Sequence, residues 1–176
     1  MGVILQKDIV MSIEGTNNSD VLVGTAASDI INAYDGNDVI TGGLGNDTIN
    51  GGAGNNTYIF NLGDGSDFIA SYYDPTSYLG SNLGKFNTIS FGAGITASSI
   101  DVYRSGSNLV LSIIGTTDSI TVENFYRNDN HLDTYNPVQQ VTFSDGTVWN
   151  LEALDDKAFT GNAANETFYG TTLSDT

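Results

Sequence analysis

An apolar side chain recurs at every ninth position between residues 15 and 69, within a phrase that is otherwise polar and rich in glycine. It fills the eighth position of each copy of the phrase: Leu22, Ile31, Ile40, Ile49 and Tyr58. The three residues around it are typical of a short strand, and the six before it lack bulk and contain glycine, which favours tight loops. So short a strand buries too little surface alone, so we expect the copies to stack, two to a coil.

A second column of the repeat is acidic. The sixth positions of the five copies are Asp20, Asp29, Asp38, Asp47 and Asn56. With two copies per coil, loops two copies apart lie above one another, so we expect Asp20 to face Asp38 and Asp29 to face Asp47. Residues 8–74 contain ten Asp or Glu and no Lys, Arg or His. Facing carboxylates repel, and without a local cation from the protein we expect a metal ion to neutralise them.

The donor set indicates which metal. Carboxylate and backbone carbonyl oxygens, in a region without Cys or His, favour Ca²⁺ over zinc or copper. Mg²⁺ is disfavoured because it requires a tight octahedron and gives up its waters reluctantly, whereas a flexible glycine loop suits a larger ion. The competing interpretation is a flexible linker, which is also rich in Gly, Asn and Asp. A linker does not hold an apolar residue at a fixed interval, so we favour the metal-binding repeat.

The fourth and fifth copies, Gly42–Asn50 and Gly51–Ile59, fit the nonapeptide Gly-Gly-x-Gly-x-Asp-x-apolar-x. On these residues the chain resembles the repeats-in-toxin (RTX) family, which implies a calcium-binding parallel β-roll, a form of β-helix solenoid. The candidate metal-binding residues are Asp20, Asp29, Asp38, Asp47, Asn56, Asp67, Asn18, Gly36, Gly43, Gly45, Gly52, Gly54, Gly63 and Gly65.

The copies differ in quality. The first two copies lack the inner glycines, so we expect weaker metal sites there. The best sites should be formed by Asp29 with Asp47, and by Asp38 with the loop of Asn56. Asn56 offers an oxygen but no charge. The phrase returns at Gly63–Ile69 after a two-residue insertion. This insertion predicts that the last coil widens into a different sheet.

The rest of the chain predicts an all-β protein in five parts. Residues 1–14 should cap the first coil, although the first seven read equally well as a leader; residues 15–70 form the β-roll and 71–85 a tyrosine-rich loop. Alternating strands and turn signals predict an antiparallel β segment over 86–160, with a short helix at Leu151–Lys157. That segment is similar to the haemolysin-type calcium-binding-related segment of RTX proteins. Residues 161–176 restart the nonapeptide and predict a second β-roll in a longer parent chain.

The net charge of the chain limits the classes of partner that it can bind. The chain has 176 residues, with 5 Lys and Arg against 21 Asp and Glu, for a formal net charge of -16. Such an excess disfavours nucleic acid and anionic membrane surfaces and favours cations. No apolar run approaches the ~20 residues of a membrane span, and there is no Cys. The RTX resemblance implies type I secretion through an uncleaved C-terminal signal, which is not visible here.

We therefore expect a structural module, not an enzyme, of a large secreted bacterial protein, folding when Ca²⁺ binds outside the cell. Its partners would be calcium ions and neighbouring repeat units of the parent. Two alternatives stay open. The module could carry a glycan- or protein-binding surface on a cell, made of Tyr72, Tyr73, Tyr78, Tyr126 and Trp149, or it could cleave itself at Asp74–Pro75 when calcium binds.

The chain has one histidine, His131, in a polar stretch with Asp129 and Asp133. A catalytic or metal cluster would need a nucleophile or a second histidine, and neither accompanies it. We expect a solvated loop here; two carboxylates without a glycine frame are a weak case for a further Ca²⁺ site.

Overall fold

The computed structural model describes residues 10–71, 84–133 and 136–160, and it places one strand in each nine-residue copy. The repeat strands are β1 (Ser12–Glu14), β2 (Val21–Val23), β3 (Ile30–Asn32), β4 (Val39–Thr41), β5 (Thr48–Asn50), β6 (Thr57–Phe60) and β7 (Ser66–Ile69). Odd strands pair in parallel in one sheet and even strands in the other. The predicted parallel β-roll with two copies per coil is confirmed.

The apolar eighth positions form the centre of the roll. Ile13 lies in register with Ile31, and Ile31 with Ile49, in one sheet, and Ile40 lies between its partners in the other. Ile31 and Ile40 are fully buried. A buried aliphatic side chain contributes ~1.5–3 kcal/mol relative to exposure, so each coil is stabilised mainly by the coils above and below it.

Both sheets continue beyond the repeats. The later strands are β8 (Thr88–Phe91), β9 (Ile100–Ser105), β10 (Asn108–Ile113), β11 (Ser119–Val122), β12 (Gln140–Thr142) and β13 (Val148–Asn150), joined by 3₁₀ turns at Ala97–Ser99 and Arg127–Asp129 and followed by helix α1 (Leu151–Thr160). β11 pairs in parallel with β7, β8 with β6, and β12 with β8. The antiparallel pairs are β9 with β10, β10 with β11, and β12 with β13.

Residues 86–160 contain antiparallel strand pairs, as predicted, and helix α1 begins at Leu151, as expected. The sequence analysis did not predict that three of these strands, β8, β11 and β12, also extend the roll in parallel. The physical reason is that β6 and β7 would otherwise end the roll with open edges, whose backbone groups need partners. The two-residue insertion before β7 leaves it paired with β5, through Thr48 with Phe68 and Ile49 with Ile69.

An aromatic row closes this end of the core. The ring of Phe91 contacts those of Phe60 and Phe143, and Phe143 contacts Trp149. Trp149 is 6% exposed and Tyr126 is 2% exposed. Both were candidates for an exposed recognition surface, and that assignment is wrong for these two side chains, since they pack in the core.

Three sequence expectations fall outside the described residues: the start of the N-terminal cap, the loop with Tyr72, Tyr73, Tyr78 and Asp74–Pro75, and the repeat restart at 161–176. Across the described ranges, none of the helices has the length and apolar character to cross a bilayer.

Candidate calcium-binding site

The sixth-position side chains, with Asn87 and Gln139 from beyond the repeats, stack in two columns along the roll. The first column is Asp29, Asp47 and Asp67; the second column is Asp20, Asp38, Asn56, Asn87 and Gln139. At each level above the first, a side-chain oxygen accepts the backbone N–H of the column residue one coil earlier. Asp29 donates to Asp47 Oδ1 at 2.8 Å and Asp47 to Asp67 Oδ1 at 3.0 Å. Asp20 donates to Asp38 Oδ1 at 2.9 Å.

The facing pairs predicted from the spacing are therefore in place. The second column continues past the repeats, since Asn56 donates its backbone N–H to Asn87 Oδ1 at 2.7 Å and Asn87 donates to Gln139 Oε1 at 2.6 Å. Sequence reasoning missed Asn87 and Gln139 because they belong to no nonapeptide. The available signal was an amide directly before each of two strands, β8 and β12.

The second carboxylate oxygen separates two kinds of loop. In the first two copies, Asp20 Oδ2 and Asp29 Oδ2 each accept the backbone N–H of a threonine four residues earlier, Thr16 or Thr25, at 2.6 Å, and its hydroxyl at 2.9 Å. In the third and fourth copies, Asp38 Oδ2 and Asp47 Oδ2 are buried without a hydrogen-bond partner among the described residues. An uncompensated buried carboxylate is costly, so these two loops require an added cation most.

Burial dominates the electrostatics of these side chains. It raises the pKa of Asp38 and of Asp47, and the neighbouring carboxylate of the coil before adds a smaller contribution. Burial raises the pKa of Asp67 to about 7, with further contributions from Asp47, Asp64 and Asp118. We had expected repulsion between stacked carboxylates to be the main cost, and the structure instead makes loss of solvation the larger one.

Oxygen atoms converge where the first glycine of a copy lacks a side chain. A Cβ built on Gly24 would lie 1.6 Å from the Gly42 carbonyl oxygen and 3.1 Å from Asp29 Oδ2. A Cβ on Gly42 would lie 2.3 Å from Asp47 Oδ2 and 3.0 Å from Asp67 Oδ2. Carboxylate and carbonyl oxygens around a small space, with partnerless oxygens among them, are what Ca²⁺ requires. The residues present fit that ion.

The glycines proposed as ligands shape the loops. All of them have a positive φ, as the turn prediction required: Gly36, Gly43, Gly45, Gly52, Gly54, Gly63 and Gly65. Asn18 is exposed, and its backbone carbonyl lies against Gly36. Asn18 would therefore contribute backbone rather than side-chain chemistry.

In the three described ranges, no group of three or more His, Cys, Asp or Glu could hold a metal ion by itself. A repeat loop supplies one sixth-position carboxylate, and the loop above it another. Calcium at these loops would therefore take much of its coordination from backbone carbonyls, in keeping with the oxygens around Gly24 and Gly42.

The junction with the second half adds two carboxylates that sequence reasoning passed over. Asp64 is 5% exposed and accepts the backbone N–H of Asn61 at 2.7 Å, and Asp118 accepts that of Gly63 at 2.7 Å. Burial raises the pKa of Asp64, and Asp118 adds to the rise. Negative charge thus accumulates where the first column ends.

His131 is half-buried, and its Nδ1 lies 3.2 Å from Asp155 Oδ2 on helix α1. The expectation of a solvated loop is therefore wrong for this side chain. Asp129 forms an ion pair with Arg104. Its charge is therefore already neutralised, which weakens the case for a calcium site formed with Asp133.

Comparison with known proteins supports the repeat assignment. Residues 14–49, 23–58 and 35–69 match the family described as RTX calcium-binding nonapeptide repeat (4 copies). Residues 108–153 match the haemolysin-type calcium binding protein related domain. No curated protein sequence matches the chain.

Among solved structures, the chain is similar to a subunit of the mannuronan C5-epimerase from Azotobacter vinelandii, determined in solution. The identity is 20%, the match covers 92% of this chain and 90% of that one, and the TM-score is 0.32. A TM-score this low supports no inference about function.

Proposed function

Because residues 14–69 belong to the RTX calcium-binding nonapeptide repeats and residues 108–153 to the haemolysin-type calcium binding protein related domains, we propose that this calcium-binding structural module folds on Ca²⁺ outside the cell, as one unit of a larger secreted protein. RTX repeats bind Ca²⁺. The proposal concerns where and when this chain binds it, and with which residues.

One observation carries the proposal: Asp38 Oδ2 and Asp47 Oδ2 are buried without hydrogen-bond partners among the described residues. We assign the side-chain ligands to Asp20, Asp29, Asp38, Asp47 and Asp67, with backbone carbonyls of the glycine loops completing each site. Bound calcium supplies the positive charge that residues 8–74 lack.

The stability of the module should depend on the calcium concentration of the compartment it is in. An ion that binds only the folded state stabilises it by ~2.7 kcal/mol when its concentration is a hundred times Kd. Several such sites are comparable with the ~5–15 kcal/mol net stability of a typical domain. Where free calcium is low, as inside a bacterium, uncompensated carboxylates keep the repeats expanded and exportable; where it is high, they fold.

Circular dichroism during a calcium titration tests the proposal on the whole chain. We expect the β signal of the repeats to be lost in excess chelator and to return cooperatively with Ca²⁺, while Mg²⁺ at the same concentration has a much smaller effect. A full β spectrum in chelator, unchanged by calcium, would refute calcium-driven folding. Adding chelator after folding should reverse the change.

The recognition alternative has lost support. Tyr126 and Trp149 are buried, so an aromatic surface would depend on the tyrosines outside the described residues. We do not propose it as a second function.

A further inference from the structure

We propose that the fifth repeat loop, Gly51–Asn56, binds no calcium and is instead held closed by hydrogen-bond donors of the protein itself. The inference rests on the proposed function, and it assigns which of the repeat loops takes an ion. Although this loop matches the Gly-Gly-x-Gly pattern as well as the fourth does, the atoms around it differ in chemistry.

The first difference lies in the side chain of the column. Asn56 Oδ1 accepts the backbone N–H of Asp38 at 2.9 Å, as a carboxylate oxygen does at other levels. Its second atom is a nitrogen, and Nδ2 donates to the Gly51 carbonyl at 2.6 Å. In the fourth loop the equivalent atom, Asp47 Oδ2, has no partner among the described residues. The amide therefore gives the loop carbonyl a donor within the protein.

The second difference lies beside the first glycine. A Cβ on Gly51 would lie 2.2 Å from the Tyr58 hydroxyl oxygen and 2.9 Å from Asn56 Nδ2. The same position on Gly42 is bordered by two carboxylate oxygens, from Asp47 and Asp67. Tyr58 replaces the aliphatic residue of the other copies, and its hydroxyl reaches the space that oxygens surround one loop earlier. An N–H donor here repels a cation.

The third difference is a fixed positive charge. Lys85 Nζ donates to the Gly52 carbonyl at 3.0 Å. The equivalent carbonyls of two earlier loops, at Thr25 and Tyr34, accept a backbone N–H from the next coil. Lys85 therefore provides, at the end of the repeat, the donor that the next nonapeptide would have provided. An ammonium at this loop also disfavours a divalent cation.

Amide side chains also donate to backbone carbonyls in the second half of the chain. Asn87 Nδ2 donates to the Pro137 carbonyl at 2.8 Å, and Gln139 Nε2 donates to the Asn136 carbonyl at 2.7 Å. Three successive levels of the second column thus satisfy a nearby carbonyl with an amide. We infer that calcium binding in this column is confined to Asp20 and Asp38.

Counting bound calcium by native mass spectrometry of the full chain tests the inference. The triple variant Asn56→Asp/Tyr58→Ile/Lys85→Met gives the fifth loop the sixth- and eighth-position residues of the fourth and removes the ammonium, and we expect it to bind one ion more than the wild type. The control Asn55→Asp/Tyr58→Ile/Lys85→Met carries the same changes in charge and volume, with the new carboxylate one position away, and should bind the wild-type number. An equal count in the first triple variant and the wild type would overturn the inference.

A second variant keeps the inference testable if the triple variant does not fold. Asn56→Ser retains an oxygen for the Asp38 N–H but removes Nδ2, and we expect the wild-type number of ions. A loss of one ion would show that the native loop binds calcium and would refute the inference. Failure of the proposed function has a different signature, because the wild type would then bind no calcium at all.

Discussion

Replacing Asp47 by asparagine should stabilise the calcium-free protein and reduce the stabilisation that calcium adds. Asp47 is 1% exposed, and its Oδ1 accepts the backbone N–H of Asp29 at 2.8 Å, an acceptor that asparagine keeps. The substitution exchanges only Oδ2, the partnerless oxygen, for an N–H₂ group. Asn56 shows the outcome at the same position of the next copy, where the amide donates to the first carbonyl of its own loop at 2.6 Å.

The magnitudes follow from these contacts. In chelator, Asp47→Asn removes an unpaired buried charge and adds a donor to the Gly42 carbonyl, so we expect a gain of about 1–3 kcal/mol in the free energy of unfolding. With calcium at a hundred times Kd, the variant loses a ligand and with it about 2.7 kcal/mol of linkage stabilisation. The calcium-dependent part of the stability should therefore fall, even though the calcium-free protein becomes more stable.

Circular dichroism in chelator and urea unfolding in calcium measure the two effects, and in chelator the variant should keep more β signal than the wild type. Asp35→Asn is the matched control, because Asp35 lies in the preceding loop with its side chain exposed, and the same loss of charge there should change both values little. Destabilisation of Asp47→Asn in chelator would mean that the carboxylate is already satisfied in the calcium-free fold. That result would refute the argument from the partnerless oxygen.

Three further predictions use other parts of the roll. With its pKa near 7 in the fold and 3.8 ordinarily, Asp67 binds a proton in the folded but not the unfolded state between those values. Acidifying calcium-free protein from about pH 8 to about pH 5 should therefore stabilise the fold by at most about 3 kcal/mol and raise its β signal, and Asp67→Asn should flatten this dependence. Gly24→Ala, whose Cβ would lie 1.6 Å from a carbonyl oxygen, should lower the free energy of unfolding by about 3 kcal/mol or more and weaken calcium binding measured by calorimetry. Gly63→Ala, which has open space but a φ of 92°, should lower it by only about 1–2 kcal/mol. Equal losses would contradict the steric crowding at Gly24. Trp149, the single tryptophan, is buried beyond the amide end of the second column, so its emission should stay blue-shifted in chelator, and a shift to the solvent-exposed wavelength on calcium removal would contradict a calcium-independent end.

The sequence predicted the repeat strands and their facing aspartates, but not the contacts that close the end of the roll. A fixed interval with one apolar position per copy predicted stacked copies, and the expectation of two copies per coil was enough to place Asp29 below Asp47. The threonines that satisfy Asp20 and Asp29 were also visible, four residues before each aspartate, but their role depends on a loop conformation that no spacing reveals. Pairing of β11 with β7 could not be foreseen, because it joins residues about fifty apart with no shared motif.

In the proposed calcium sites, the second side-chain atom of each column residue distinguishes the loops. At each level above the first, a side-chain oxygen accepts the same kind of backbone N–H, so this contact cannot distinguish a site that needs an ion from one that does not. The second atom does: at Asp29 it accepts from a threonine, at Asp47 it has no partner among the described residues, and at Asn56 it is itself a donor. On this proposal a nonapeptide match alone overstates the number of ions bound, and the residues at the second and sixth positions of each copy predict that number better.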